Sequence, residues 1–560
     1  MKKLYNLIGI LSLGLILMLI SGCNKSLDLQ PQSEITDVVF WNTPSTFKLA
    51  ANWFYQNTLE DPSTAENNSD IAMGQQADQV SSGTYITPTS DGTWDGAYTG
   101  IRNACKVITQ GESSSIKNNI LPYLGEGYFF RAYNYFTLFK RYGGVPLIDK
   151  VLATNDPEIY KARATRDETL NFIISDLDKA IANLSAKSSS ETGRVCKEAA
   201  QAFKARVCLF EGTWRKFHAS GDANSLLDLA ILSSKSVIDS RSYSLYQGKG
   251  ASSYRYLFID ATSKNEPESI LAKHIRVGIY WVDWPYAIAS GAMCPTKKLA
   301  DMYLCTDGLP IEKAPLFQGY DSCRTEFYGR DPRMSQSISI PATVIIAPQY
   351  NIPLAQWPGE GDNGNANSGY MLYKFISEVT APRSSSLGDY DWNIMRYAEV
   401  LLIYAEATFE KNGSISDADL DLSINVLRDR LPMTHLTNAL VITNSLDMRT
   451  EIRRERSVEL AFEGYRWDDL RRWKTAETEL PKSLLSVKVT GTQWALQTIT
   501  INGSTTTSRF YNLPANQLEN GFKVLQPASE RSFNAAKHYL LPIPSQQISL
   551  NPKLEQNPNW

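Results

Sequence analysis

Apolar residues recur at helical spacing in several separated stretches of this chain. Trp94, Tyr98 and Ile101 fall at i, i+4 and i+7 and so line one helix face. From Gly125 to Ile148, small residues (Gly127, Ala132) sit among rings (Tyr128, Phe129, Tyr133, Tyr135, Phe136), and Gly143-Gly144 ends the run before Pro146. Ala199 to Trp214 repeats that mixture, as does Asn393 to Glu410, and Phe40 to Tyr55 predicts an earlier helix. Small residues facing large ones let two helices approach closely, which is how tetratricopeptide-type hairpins stack. Between these helices QSISIPATVII and SVKVTGTQWALQTITI predict short strands, while EDPSTAENNSD and PGEGDNGNANSG predict loops. The pattern predicts a mainly α fold, a helical-hairpin scaffold beneath irregular loops with a few short strands.

The strongest polar signal is Arg449 to Trp473, which holds seven Arg and six Asp or Glu around a short apolar core. Glu451, Glu455, Glu459 and Glu463 recur every fourth residue, so a helix would stack four carboxylates in one ridge, each like-charged pair costing a few tenths of a kcal/mol. Cations must face them. Arg454, Arg456 and Arg466 lie at three-residue spacings from the ridge, and Arg396 is a candidate from another helix. Gly464 permits the left-handed turn that ends a helix, after which Asp468 and Asp469 meet Arg471 and Arg472. Val458, Leu460, Phe462, Trp467, Leu470 and Trp473 are too many large apolar groups for a solvated face, so a buried charge ladder is expected.

At the amino terminus Lys2 and Lys3 precede an apolar run from Leu7 to Ile20, the layout of an export signal over residues 1–22. Ile20-Ser21-Gly22-Cys23 reads as a lipobox in which Cys23 becomes an acylated new terminus, and multiple acyl chains give stable anchoring where one chain does not. Loss of Lys2 and Lys3 takes the formal charge from -3 to -5, which removes the electrostatic basis for nucleic-acid binding. Cys105, Cys196, Cys208, Cys294, Cys305 and Cys323 show no zinc spacing, so no metal site or cofactor is expected, although a structural calcium ion would leave no signature here. Buried free thiols are the expectation, with Cys294 and Cys305 the exception to watch.

RRERSVELAFEGYRWDDLRRW resembles the signature segment of the SusD/RagB family of nutrient-capturing outer-membrane lipoproteins. GEGYFFRAYNYFTLFKRYGGVPLI, the segment Pro295-Thr296 to Asp307-Gly308, GRDPRM, and the ending Pro-Ile-Pro, Asn-Pro, Gln-Asn-Pro resemble further family segments in the expected order. Cys105 departs from that pattern where an Asn is common. The resemblance implies a SusD-like fold with about four helical hairpins, an amino-terminal region over 23–235 and a carboxy-terminal region over 270–560 packed as one unit. It also implies a glycan ligand, a SusC-like TonB-dependent transporter as partner, and attachment to outer-membrane lipid through Cys23. A peptide or other nutrient is the alternative ligand within the same family. A surface hydrolase is the weaker reading, because no G-x-S-x-G elbow, H-E-x-x-H helix or phosphate-binding glycine loop is present.

Sugars stack on exposed rings while amides and carboxylates take their hydroxyls, so aromatic residues in irregular segments are the candidates. Tyr280, Trp281, Asp283, Trp284 and Tyr286 form the densest such group. A second group lies between Asn67 and Trp94, where Asp78, Tyr85 and Trp94 are the candidates, Trp94 matching a mainly structural family position.

Overall fold

The computed structural model describes residues 40–259, 266–276, 279, 284–289, 291–343, 345–347, 352–354, 368–376 and 391–560. The export signal, Cys23 and most of the PGEGDNGNANSG loop lie outside them. The helices expected from the apolar spacing are present at Pro44–Asn57, Gly92–Glu112, Leu121–Tyr142 and Lys197–His218. Arg166–Asn183 and Asn224–Ser240 supply the returning arms of the hairpins. Among the described residues, no helix is long and apolar enough to cross a membrane.

Why these arms pack is visible at the small residues. A side chain at Gly127 would sit 3.2 Å from Val107 and Ile108, and one at Gly125 would lie 2.8 Å from Leu184, so glycine lets Leu121–Tyr142 approach both neighbouring helices. The rings then interleave, with Tyr133 stacked on Phe203 at 5.3 Å and Phe136 edge-on to Phe210 at 5.7 Å. Cys105 occupies its departure from the family pattern as a buried thiol, 3.6 Å from both Arg131 and the Ile148 carbonyl. All six described cysteines are buried and free, Cys294 and Cys305 included.

One expectation is corrected. Asn393 to Arg396 is the end of a strand, Trp392–Arg396, that pairs antiparallel with Ser269–Lys273; the helix begins only at Tyr397 and runs to Asn412. Met395 and Ile394 are buried on both sides of this two-stranded ribbon, so an apolar run that looked helical is satisfied by a buried strand instead. Short strands at Ile338–Ser339, Ile345–Ala347, Leu484–Lys488 and Thr498–Ile501 overlap the two β-branched runs.

Two apolar cores meet along the Arg449 to Trp473 segment. The larger joins the amino-terminal helices to Leu401, Ile452, Leu460 and Leu470, and so takes residues from both halves of the chain. The second surrounds Tyr254, Phe258, Tyr303, Met334, Phe375 and Trp494, and receives Val458 and Phe462. The charged segment is therefore a wedge between two cores, with Ile452, Leu460, Trp467 and Leu470 in one and Val458, Ala461 and Phe462 in the other.

Candidate functional site

Asp447 caps the helix Met448–Glu459 by accepting from Thr450 N, and three carboxylates of the ridge lie along it. Glu463 does not: the helix stops at Glu459, Phe462 takes a left-handed φ of 65°, and Gly464 follows at 84°. The ridge is completed across this turn by a shared cation instead of by helical spacing. Arg396 donates to Glu459 Oε1 at 2.7 Å and to Glu463 Oε2 at 2.7 Å, and also reaches Glu268 at 2.7 Å. Arg430 donates to Glu459 at 2.6 Å and Arg333 to its other oxygen at 2.8 Å. Glu455 lies 2.6 Å from Arg333 and 2.9 Å from Arg428, while Glu463 also accepts from Lys374 at 2.8 Å.

Burial alone would raise the Glu459 carboxyl, but Arg430, Arg396 and Arg333 override it and hold it well below the usual range. For Lys374 burial prevails over Glu463 and lowers the ammonium to about 8. The ladder is thus a lattice of desolvated ion pairs in which Glu455, Glu459 and Glu463 each face at least two cations. General acid or base work needs a carboxyl group within reach of a substrate proton, and these carboxyl groups are buried against their cations.

Two cations assigned to the ridge by spacing serve other partners. Arg454 does meet Glu451, at 3.1 Å, but Arg456 turns to Asp469 at 2.9 Å and Arg466 forks onto Asp70 with both bonds at 2.8 Å. Glu66, from the loop that also carries Asp70, accepts from Gly464 N at 2.9 Å and Arg466 N at 3.0 Å, and burial pushes it up to about 7. Asp468 and Asp469 pair with Arg471 at 2.5 Å and Arg472 at 2.8 Å, as their spacing predicts. Arg333, Arg428, Arg430 and Lys374 are the cations that sequence reading missed. The signal available for one of them was GRDPRM, whose Arg333 had a place in a motif but no role.

The second group of ligand candidates divides between one buried ring and two partly exposed residues. Trp94 is 5% exposed and packs against Tyr98 and Tyr142, and Asp78 caps Gln79–Ser82 by accepting from Ser81 N at 2.8 Å. Tyr85 is half-buried, edge-on to Trp560 at 6.2 Å. In the first group, Trp284 is 4% exposed in the second core, 6.2 Å from Phe375 and 6.0 Å from Trp392, which corrects its assignment as a sugar platform. Tyr280, Trp281 and Asp283 lie outside the described residues, as does the side chain of Tyr286. The base from which this run leaves is well defined: buried Asp391 accepts from His274 Nδ1 at 2.6 Å, from Ile275 N at 3.0 Å and from Arg276 Nη1 at 2.8 Å. That knot fixes both the approach to the aromatic run and the start of the Trp392–Arg396 strand.

With this geometry in hand, comparison with known proteins assigns the fold and the wedge together. Residues 241–560, more than half of the chain and including the Arg449 to Trp473 segment, match the family described as "SusD family". The chain belongs to the SusD family. Residues 25–209 match a second family described as "Starch-binding associating with outer membrane". SusD-like protein P38 of Formosa agariphila is 25% identical over 525 residues, covering 85% of this chain and 93% of the relative. A SusD-like protein of Bacteroides ovatus is 24% identical over 493 residues, 81% of this chain and 80% of its own. The crystal structure of a SusD-like carbohydrate binding protein from Bacteroides fragilis superposes with a TM-score of 0.74 at 23% identity, over 92% of this chain and 100% of the other. Surface glycan-binding protein A from Bacteroides fluxus does so with a TM-score of 0.61 at 18% identity, over 93% and 100%. The mainly α architecture is shared across these SusD-like structures.

Proposed function

We propose that this SusD-family chain is a non-enzymatic, cell-surface glycan-binding lipoprotein, acylated at Cys23 and held at the outer membrane. It captures oligo- or polysaccharide and delivers it to a SusC-like TonB-dependent transporter. The observation that carries the reading is the family match on both halves of the chain, joined to relatives that are named as carbohydrate- or glycan-binding. The aromatic run from Tyr280 to Tyr286 supports it, with Trp281 as the ring best suited to stacking once Trp284 is committed to the core. The non-enzymatic part of the reading is supported by the densest cluster of carboxylates, in which Glu459 is buried against three guanidinium groups and so serves the fold. Capture followed by release calls for micromolar to millimolar affinity, about 4 to 8 kcal/mol.

Titration of the chain lacking residues 1 to 22 with polysaccharides and oligopeptides, followed by calorimetry and tryptophan fluorescence, tests the proposal. A polysaccharide should bind, quench emission and stay chemically intact. Heat with peptides alone would replace glycan by peptide as the cargo, and cleavage of any panel member would overturn the non-enzymatic reading.

A further inference from the structure

A cavity of about 400 Å³ lies beside the Asp391 knot, within the range of about 300–1,000 Å³ typical of small-molecule sites. It is walled by the segment before the helix Lys197–His218, by Ser242 and Tyr243, and by the chain from Glu266 to His274. Two acceptors on its wall are unfilled. Glu266 is 9% exposed; its Oε2 accepts from Glu268 N at 3.0 Å and Ser269 N at 2.9 Å, whereas Oε1 is buried with no hydrogen-bond partner among the described residues. A buried orphan acceptor of this kind costs about 1–3 kcal/mol unless something donates to it.

The second acceptor is His274. Its Nδ1 hydrogen is committed to Asp391, so in the neutral ring Nε2 presents a lone pair. Gly193 leaves that nitrogen open, because a side chain there would lie 2.7 Å from Nε2. The cations on the same wall are already occupied. Lys187 donates to the Ser242 carbonyl at 2.9 Å and sits 3.5 Å above the Tyr243 ring, and Arg194 is forked onto Glu126 at 2.8 and 2.5 Å. Two unfilled acceptors call for a ligand rich in donors, while Lys187 and Arg194 on the wall are balanced by the carboxyl groups of Glu191 and Glu266, so the cavity favours neither sign of net charge. Neutral hydroxyls meet both conditions.

We infer that this cavity is a second binding site, separate from the aromatic run, for a neutral polyhydroxylated molecule of about monosaccharide size. Its hydroxyls donate to Glu266 Oε1 and His274 Nε2. The inference draws on the glycan reading for the ligand's source but stands on the two open acceptors, and its test is independent of polysaccharide capture.

The chain has four His, so the ring nitrogens of isotope-labelled histidine give a sparse spectrum in which His274 is assigned by His274→Gln. The intact mature chain is titrated in mildly alkaline buffer with glucose, galactose, mannose and, separately, ethylammonium. A sugar should shift the bare nitrogen of His274 saturably and leave the other three rings in place. Glu266→Gln, which replaces the open acceptor by a donor, should weaken that sugar about tenfold, the cost of one hydrogen bond to a charged group. No saturable shift of His274 in the wild-type chain with any of the sugars overturns the inference, as does a response to ethylammonium alone or an unchanged affinity in folded Glu266→Gln. Polysaccharide binding measured on the same samples separates this outcome from the fate of the capture proposal.

Discussion

Glu459 and Glu266 are both buried glutamates, and their carboxyl groups are driven in opposite directions. Burial pushes Glu266 up to about 7, with Glu268 adding to the effect, because two backbone N–H groups and the more distant charge of Arg396 oppose it too weakly. Glu459 feels the same burial and ends far below the normal range, because three guanidinium groups converge on its two oxygens. Desolvation sets the cost of a buried carboxylate, and the partners decide whether it is an ion, and so whether the group is structure or an open site. The wedge sets its carboxylates against cations brought from other segments. The cavity by the Asp391 knot keeps some in reserve.

The largest test of this contrast is removal of a carboxylate from the lattice. Glu459→Ala leaves Arg396, Arg430 and Arg333 short of a partner inside the protein and should destabilise by about 3–5 kcal/mol, read by denaturant unfolding. A double-mutant cycle refines it: Glu459 with Arg396 should couple by about 1–3 kcal/mol, whereas Glu459 with Arg456, which shares no partner with it, should couple by less than about 0.5 kcal/mol. Strong coupling to Arg456 would restore the spacing-based ladder and break the geometry described here.

Trp284→Ala should cost about 3–5 kcal/mol through the space left among Phe375 and Trp392, while Trp281→Ala should weaken glycan capture and leave the melting temperature within a degree or two of wild type. A Trp284→Ala chain that melts normally would return that ring to the list of ligand contacts.

Acid then separates the two kinds of carboxyl. Glu406 and Asp468, raised by burial but pulled down more strongly by Arg472 and by Lys140 respectively, fall to about 2. A folded pKa below the unfolded one contributes stability that is present above the unfolded value and lost as pH falls through the folded one. Melting temperatures should therefore drop between about pH 4.5 and pH 2. Glu266 has the opposite sign: its folded pKa lies above the unfolded one, so ionisation penalises the fold as pH rises from about 5 to 7. Glu266→Gln should remove that penalty and stabilise the chain by about 1 kcal/mol at pH 8, with little effect at pH 5. Equal effects at both pH values would show that the carboxyl does not titrate in this window.

Much of this molecule is legible in one dimension because the relevant physics is local. Trp94, Tyr98 and Ile101 read as one buried helix face since helical geometry fixes their neighbours, and the wedge from Arg449 to Trp473 is visible because charge at that density among large apolar groups has few solutions other than burial. Asp468 with Arg471 and Asp469 with Arg472 pair as spacing alone requires. What spacing could not supply was the cation facing each glutamate. Arg333, Arg396, Arg428 and Arg430 arrive from distant segments, and only the packing of two cores against one wedge brings them to Glu455, Glu459 and Glu463. The same limit applies to the ribbon at Trp392–Arg396, whose apolar run is satisfied by strand or helix until Ser269–Lys273 lies beside it, and to Trp284, an aromatic residue in an irregular segment until Phe375 and Trp392 enclose it. Periodicity determined which helix faces are buried, and the motif segments, RRERSVELAFEGYRWDDLRRW above all, carried the family resemblance. Tertiary structure decided which charges neutralise one another and which acceptors are left open, because those outcomes depend on contacts between residues from 27 to 396 positions apart.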